Sequence, residues 1–262
     1  RYSFLKKQYS GLKKFGPELL SRLNPRPYWW RYVLTYVALF MGSTLAKINV
    51  RGRHNLPKTP PFVVACNHFS DHDPLFFSYA LRKPINFIAA SDQEIEIAFI
   101  WAPVIYGWIP VDRKNLSPST IKKAVKALRN KEILGIFPDG GVNYNLLSKP
   151  KNGAVFLSTV GKCPIVPMSI YGAERSWEGL LKGIRSRVQI NIGKSFGPYE
   201  LKGDKDQKNK KMKKVGQEMM GRIASLLPEN RRGAFTDDES ILKYQKENKV
   251  VPPQCFDFKP KK

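Results

Sequence analysis

Phe62-Val63-Val64-Ala65-Cys66-Asn67-His68-Phe69-Ser70-Asp71-His72-Asp73-Pro74-Leu75-Phe76-Phe77-Ser78-Tyr79-Ala80-Leu81 reads as a strand, a polar turn and the start of a helix. The apolar run Phe62–Cys66 is short and rich in β-branched residues, the pattern of a buried strand. His68 stands at its end, and Asp73 follows five residues later, just ahead of Pro74. On a regular helix, positions five apart differ by about 140° in direction and their side chains do not meet. In a strand-to-helix turn they do meet. A carboxylate on one imidazole nitrogen then fixes the tautomer and leaves the other nitrogen basic, which is the equipment of a general base. The same residues also fit a second reading, because Asp before Pro makes a good helix N-cap with proline at the first helical position.

Beyond this stretch the texture alternates. Strands are expected at 48–51, 62–66, 86–89, 133–137, 165–170 and 188–192, and helices at 74–81, 119–129, 153–159 and 208–227. Apolar β runs separated by helices predict an α/β fold, with a largely buried sheet flanked by helices. The last helix carries a strongly basic outer face, with Lys202, Lys205, Lys208, Lys210, Lys211, Lys213 and Lys214 before it or within its first two turns. The tail beyond Pro228 is polar and contains Pro252-Pro253, so it is expected to be an extended wrap or a loose end.

Ahead of the alternating region, Leu5, Tyr9, Leu12, Leu19, Leu20 and Leu23 follow helical steps among Lys6, Lys7, Lys13, Lys14 and Arg22. Gly16-Pro17 divides this segment into two helices, with Pro17 at a first helical position. A basic amphipathic helix reads as a membrane-surface element or as a helix docked on its own domain. Next, Arg31 and Lys47 enclose 15 uncharged, mostly apolar residues. Spanning a bilayer takes about 17–25 such residues. With Trp29 and Trp30 at one end, the expectation is a helix that dips into one leaflet. Three segments result: 1–47 for membrane association, 48–228 as the catalytic domain and 229–262 as the tail.

The 262 residues carry Lys+Arg 45 against Asp+Glu 21, a net charge of +24. Such a surface favours polyanions: nucleic acid, an anionic leaflet, or an acidic or phosphorylated partner. The three cysteines, Cys66, Cys163 and Cys255, lack metal-type spacing and imply no disulfide framework. His68, Asp71, His72 and Asp73, with His54 upstream, do not match common zinc spacings, so no metal is expected. No Gly-X-Ser-X-Gly elbow or Cys–His pair stands out as a nucleophile. The expected chemistry is direct attack by a hydroxyl that His68 deprotonates.

Four blocks, in order, resemble the glycerolipid acyltransferases typified by 1-acylglycerol-3-phosphate acyltransferase. Asn67-His68-Phe69-Ser70-Asp71-His72-Asp73 is similar to the Asn-His-X4-Asp motif. Gly107-Trp108-Ile109-Pro110-Val111-Asp112-Arg113 resembles the second block. Phe137-Pro138-Asp139-Gly140-Gly141-Val142 is an altered form of Phe-Pro-Glu-Gly-Thr-Arg, followed by Lys151-Asn152-Gly153-Ala154. Val166-Pro167-Met168-Ser169-Ile170 resembles the fourth block. The resemblance extends from about Val50 to Pro198.

It implies an O-acyltransferase with His68 as general base and Asp73 as its orienting carboxylate. It also implies substrate contacts at Asn67, Arg113, Asp139, Gly140, Lys149, Lys151 and Pro167. Acceptor would be a lysophosphatidic acid, donor an acyl-CoA or acyl carrier protein, with no further cofactor. The site would work at the cytoplasmic face of an anionic membrane. Val142 stands where the family has an arginine associated with the acceptor phosphate. Either Arg113 with Lys149, Lys151 or Arg175 holds that phosphate, or the acceptor is another lysophospholipid or a glycolipid. The competing classes are a basic nucleic-acid-binding module, against which no recognised motif is present, and an inactive membrane scaffold.

Overall fold

The computed structural model describes residues 14–15, 17–91, 95–96, 104–112, 117–143, 146–174, 176, 179 and 182–253. Seven strands form the main sheet: β1 (Ala46–Arg51), β2 (Phe62–Cys66), β3 (Ile85–Ala90), β4 (Ile109–Val111), β5 (Ile133–Ile136), β6 (Ile165–Tyr171) and β7 (Ser186–Ile192). Their order across the sheet is β1-β7-β6-β2-β5-β3-β4. Strands β2 to β6 run parallel to one another, β7 is antiparallel to β6, and β1 is parallel to β7. The sheet is therefore mixed and mostly parallel, as the alternating sequence predicts.

β2 sits at the centre, with Val64 opposite Gly135 on one side and Val166 on the other. Every residue of β2 is buried, which is why the strand reads as an unbroken apolar run and not as an alternation. Helices α4 (Pro118–Arg129), α5 (Gly153–Val160) and α6 (Lys205–Ala224) cover one face through Ala124, Leu128, Val155, Met219 and Ile223. Helix α3 (Asp73–Leu81) covers the other through Phe76, Phe77, Ala80 and Leu81. Burial of Phe76 and Phe77 stabilises the fold by about 2 kcal/mol each.

Helix α2 (Tyr28–Leu45) lies over α3. It is amphipathic in reverse. Its buried positions are Arg31, Thr35, Ala38, Gly42 and Leu45, while Trp29, Tyr32, Val33, Tyr36, Val37 and Phe40 face outward. Arg31 anchors it. The guanidinium pairs with Glu132 at 2.6 Å and donates to the Ile85 carbonyl, and Asn86 donates to the same Glu132 oxygen. The preceding segment is bound as well: Arg26 donates to the Val104 carbonyl, and Trp30 to that of Ile105. Gly107 has φ +73° and lies so close to the Asn24 carbonyl that no side chain fits there. Among the described residues no helix is long and apolar enough to cross a membrane.

Two expectations change. Helix α1 (Pro17–Ser21) begins at Pro17 as anticipated, but Lys14–Phe15 is extended and pairs with Ile95–Glu96. The helix expected over residues 1–13 lies outside the described residues. Residues 254–262 lie outside the described residues, and from residue 229 to residue 248 the tail is neither extended nor loose. It folds into two 3-10 turns and helix α7 (Ile241–Asn248), with Arg232, Ile241, Tyr244, Asn248 and Val250 buried. Asn248 is the reason. Its fully buried side chain accepts from the Lys194 amide and donates to Ser225, and its carbonyl accepts from Asn55, so the tail fills polar needs of three other segments. Sequence patterning registers apolar stripes and misses such polar docking.

Removing one partner of a buried ion pair leaves the other charge uncompensated. Arg31→Met is expected to lower stability by about 3 kcal/mol in urea unfolding with an unchanged m-value.

Candidate functional site

Adjacent strands β2 and β5 send their helices to opposite faces: α3 follows β2 on one, and α5 follows β5 on the other. Loops that diverge in this way open a crevice at the carboxyl ends of the strands. His68 stands there at the end of β2, and Asp139 there at the end of β5. The two are joined, because the His68 amide donates to Asp139 Oδ2 at 3.3 Å.

The 67–73 turn is organised by one carboxylate oxygen. Asp73 Oδ2 accepts from the Phe69 amide at 2.8 Å and the Ser70 amide at 2.9 Å, and lies 3.1 Å from His68 Nδ1. Asp73 is fully buried and occupies the first helical position of α3, and the preceding His72 is the N-cap. The carboxylate thus points back into the turn and does not cap its own helix, which separates the two readings of Asp-Pro. Nδ1 engaged by a carboxylate leaves Nε2 as the basic nitrogen. The imidazole stacks on Phe137, with centroids 4.1 Å apart and planes 17° from parallel. It is held on one edge and one face while remaining partly open to solvent.

Asp139 is buried and is itself held, because its Oδ1 accepts from the Ser148 amide and hydroxyl. Burial raises its carboxyl above the ordinary aspartate value; Ser148 and the His68 amide oppose that shift. Gly140 has φ +73°, and a Cβ there would meet Lys151 Cε at 2.6 Å. The missing side chain lets the Lys151 chain lie along this turn. Lys149 is exposed beside Ser148. Cys66 is nearby but is no nucleophile: burial pushes its thiol well above the usual range, and the charges of Asp73 and Asp139 push it further.

The structure thus brings His68, Asp73, Asp139, Gly140 and Lys151 to one crevice. Arg113 and Arg175 lie outside the described residues. Two residues expected at the substrate lie inside the sheet. Asn67 is fully buried, and its side chain donates to the Ile170 carbonyl and accepts from the Ile170 amide. It continues the β2–β6 ladder past Cys66, so its side-chain amide is committed to splicing strand ends. Pro167 is buried in mid-strand, in register with Ala65 and with its carbonyl on the Gly193 amide. It does not reach the edge where His68 stands.

Sequence reasoning also missed members of this region. Phe137 was visible as part of a block, though not as a stacking partner. Ser148 carries no signal in its neighbours. Arg231, in the tail, pairs with Glu174 at 2.9 Å, hangs 6.0 Å from the Phe69 ring centre, and accepts the Leu147 amide on its carbonyl. Burial raises the Glu174 carboxyl, with Arg231 opposing. No local pattern marks Arg231, because its partners come from distant loops.

A model of the Acyltransferase family matches residues 47–171, the part that holds β1 to β6 and the crevice. The chain is 32% identical over 148 residues to 1-acyl-sn-glycerol-3-phosphate acyltransferase of Bacillus subtilis (strain 168), which covers 56% of this chain and 72% of that protein. The chain belongs to the glycerolipid acyltransferase family. It is an O-acyltransferase. The protein of the same name from Streptococcus pneumoniae is 28% identical over 185 residues, covering 68% of this chain and 67% of its own. The mouse alpha form is 30% identical over 132 residues, and this chain spans 44% of its length. The crystal structure of the 1-acyl-sn-glycerophosphate (LPA) acyltransferase from Thermotoga maritima is similar with a TM-score of 0.49 and 18% identity, over 72% of this chain and 80% of that one.

If Asn67 splices strands, its loss registers in stability. Asn67→Ala leaves the Ile170 amide and carbonyl buried without partners on that side, and should lower the urea unfolding free energy by about 2 kcal/mol. A change in acceptor KM at unaltered stability would contradict this assignment.

Proposed function

We propose that this acyltransferase moves an acyl group from an acyl thioester to the free hydroxyl of lysophosphatidic acid, giving phosphatidic acid. The observation that carries the mechanism is the 3.1 Å contact between His68 Nδ1 and the buried Asp73 carboxylate in the crevice. With Nδ1 so engaged, His68 Nε2 takes the proton of the acceptor hydroxyl as its oxygen attacks the thioester carbonyl. The tetrahedral intermediate collapses, the carbon–sulfur bond breaks, and the imidazolium returns its proton to the departing thiolate. Asp73 stabilises the imidazolium between these steps. The acceptor phosphate lies against Lys151 along Gly140, with Lys149 contributing charge. The relatives named above carry this acceptor in their names.

The acceptor is a lipid, and α2 supplies a way to meet it. The outward stripe of Trp29, Tyr32, Tyr36 and Phe40 suits the water–lipid boundary, where amphipathic aromatics prefer to lie. In this reading the protein sits on the membrane surface with α2 seated in one leaflet, and the excess of positive charge favours anionic lipid.

A second acceptor class rests on one residue. Val142 stands in place of an arginine, so a lysophospholipid with a larger headgroup or a glycolipid is the competing acceptor. A panel of lysolipids offered with one acyl thioester decides between them. Acylation of lysophosphatidic acid ahead of the rest supports the first reading, and acylation of another lipid without it removes that reading.

His68→Ala is expected to lower kcat about 1000-fold, in the range of general acid–base catalysis, in a chain that still unfolds cooperatively, with a modest loss of stability because Asp73 loses a partner. Retained turnover would sink the mechanism. Replacing Trp29, Tyr32, Tyr36 and Phe40 by Ser should abolish co-sedimentation with vesicles while leaving activity on detergent-dispersed acceptor within about two-fold; undiminished co-sedimentation would remove α2 as the anchor.

A further inference from the structure

Helix α6 extends beyond the core. Its buried residues begin at Val215, and every residue from Lys205 to Lys211 is exposed. Between Lys205 and Lys214 it carries Lys205, Lys208, Lys210, Lys211, Lys213 and Lys214 against one acid, Asp206. The lysines surround the helix. Lys208 lies on the stripe of Met212, Val215 and Met219, while Lys210 and Lys214 lie opposite. Pairs such as Lys210–Lys213 and Lys210–Lys214 repel at helical spacing. The Asp204–Gln207 capping box holds the end of this arm in shape.

Two placements restrict what the arm faces. Its root adjoins the crevice: a Cβ on Gly216 would meet Asn152 Oδ1 at 3.1 Å and Pro150 Cγ at 3.6 Å, and those residues flank Lys151. Its face of the sheet is opposite to that of α3, on which α2 lies. A bilayer seated on the aromatic stripe of α2 leaves the arm on the far side of the sheet, in water. The lysines extend over about 15 Å of helix, too far for the phosphates of one nucleotide to cover and suited to a protein surface.

We propose that the lysine arm of α6 is the docking surface for an acidic carrier protein that presents the acyl thioester to the crevice. The proposal rests on the acyl-transfer reading and adds the partner and its place. Docking by exposed charges acts mainly on association and is screened by salt.

The test uses the full chain and a variant with Lys208→Glu, Lys210→Glu, Lys211→Glu and Lys213→Glu. Both receive the same acyl chain on acyl carrier protein or on coenzyme A. KM for the carrier-bound donor should rise about ten-fold in the variant and that for the coenzyme A donor by less than about two-fold. Co-sedimentation with anionic vesicles should not change. Equal effects on both donors, or no effect on the carrier donor, would overturn the proposal. So would loss of vesicle binding or of duplex DNA binding in the variant with unaltered carrier kinetics. Fluorescence anisotropy of labelled carrier protein reads docking without chemistry: weaker binding to the variant supports it, and equal binding to both proteins refutes it. Turnover of neither donor by the unaltered chain, with carrier binding intact, would fault the acyl-transfer reading and leave docking standing. A Lys→Gln set at the same positions, with an intermediate effect, shows that charge and not helix disruption is responsible.

Discussion

A buried carboxylate needs partners, and for Asp73 one oxygen, Oδ2, finds all of them in the turn that precedes it, while Oδ1 is buried without a hydrogen-bond partner among the described residues. Its Oδ2 collects the Phe69 and Ser70 amides together with His68 Nδ1. An unpaired charge at full burial costs several kcal/mol, so the turn closes on Asp73 in one way. That closure fixes three things together: where β2 stops, where α3 starts, and which imidazole nitrogen is engaged. The spacing of five residues is the shortest description of this constraint, since it is the reach of one turn folded around one oxygen.

The crevice depends on a second constraint, which lies in the connections. A parallel strand needs a crossover, and the crossover has to choose a face. The chain leaves β2 toward α3 and leaves β5 toward α5, on opposite faces. The two loops cannot pack on each other along their length, and the gap they leave is where His68 meets the Asp139 loop. Asp139 then needs its own partners, and Ser148 provides them. The loop is held at its far end by the Arg231 carbonyl on the Leu147 amide, with Glu174 fixing the Arg231 side chain. A tail residue thereby braces the loop that carries Asp139.

Much of this was legible in the sequence, for a physical reason. Strands buried on both faces are dominated by apolar residues, so β2, β3, β5 and β6 stand out, β7 shows by the alternation of Val188, Ile190 and Ile192 with polar residues, and the turn chemistry around His68 and Asp73 is local. β4 was missed because three residues, one of them Pro110, are too short a run to register. The tail was misread because Asn248 docks through hydrogen bonds to Lys194, Asn55 and Ser225. Asn67 was assigned to the substrate because it adjoins His68 in a motif. Only the coordinates separate a side chain that faces the crevice from one that turns inward to extend a sheet. Phe137, Ser148 and Arg231 share that difficulty: each acts through a neighbour distant in sequence.

Helix α2 shows how the two kinds of partner are told apart. A helix that packs on a protein normally turns its apolar stripe inward. Here Arg31 and Thr35 face in, Thr35 bonding back to the Arg31 carbonyl, and the aromatics face out. Inward packing is carried by an ion pair with Glu132, by close approach at Gly42 over the Tyr79 ring, and by the small apolar contribution of Ala38 and Leu45. The large aromatics take no part in it, so the outward stripe is not left over from core packing. A contiguous apolar patch of this kind marks a surface with a partner of its own. The outward hydroxyls of Tyr32 and Tyr36 lie 3.1 Å apart and answer each other, which lowers the cost of taking both rings out of water. The basic arm of α6, on the other side of the sheet, has the opposite character: charge without apolar area. Two surfaces of opposite chemistry, separated by the sheet that carries His68, give the proposed reaction one side suited to a substrate in a membrane and another suited to a substrate in water.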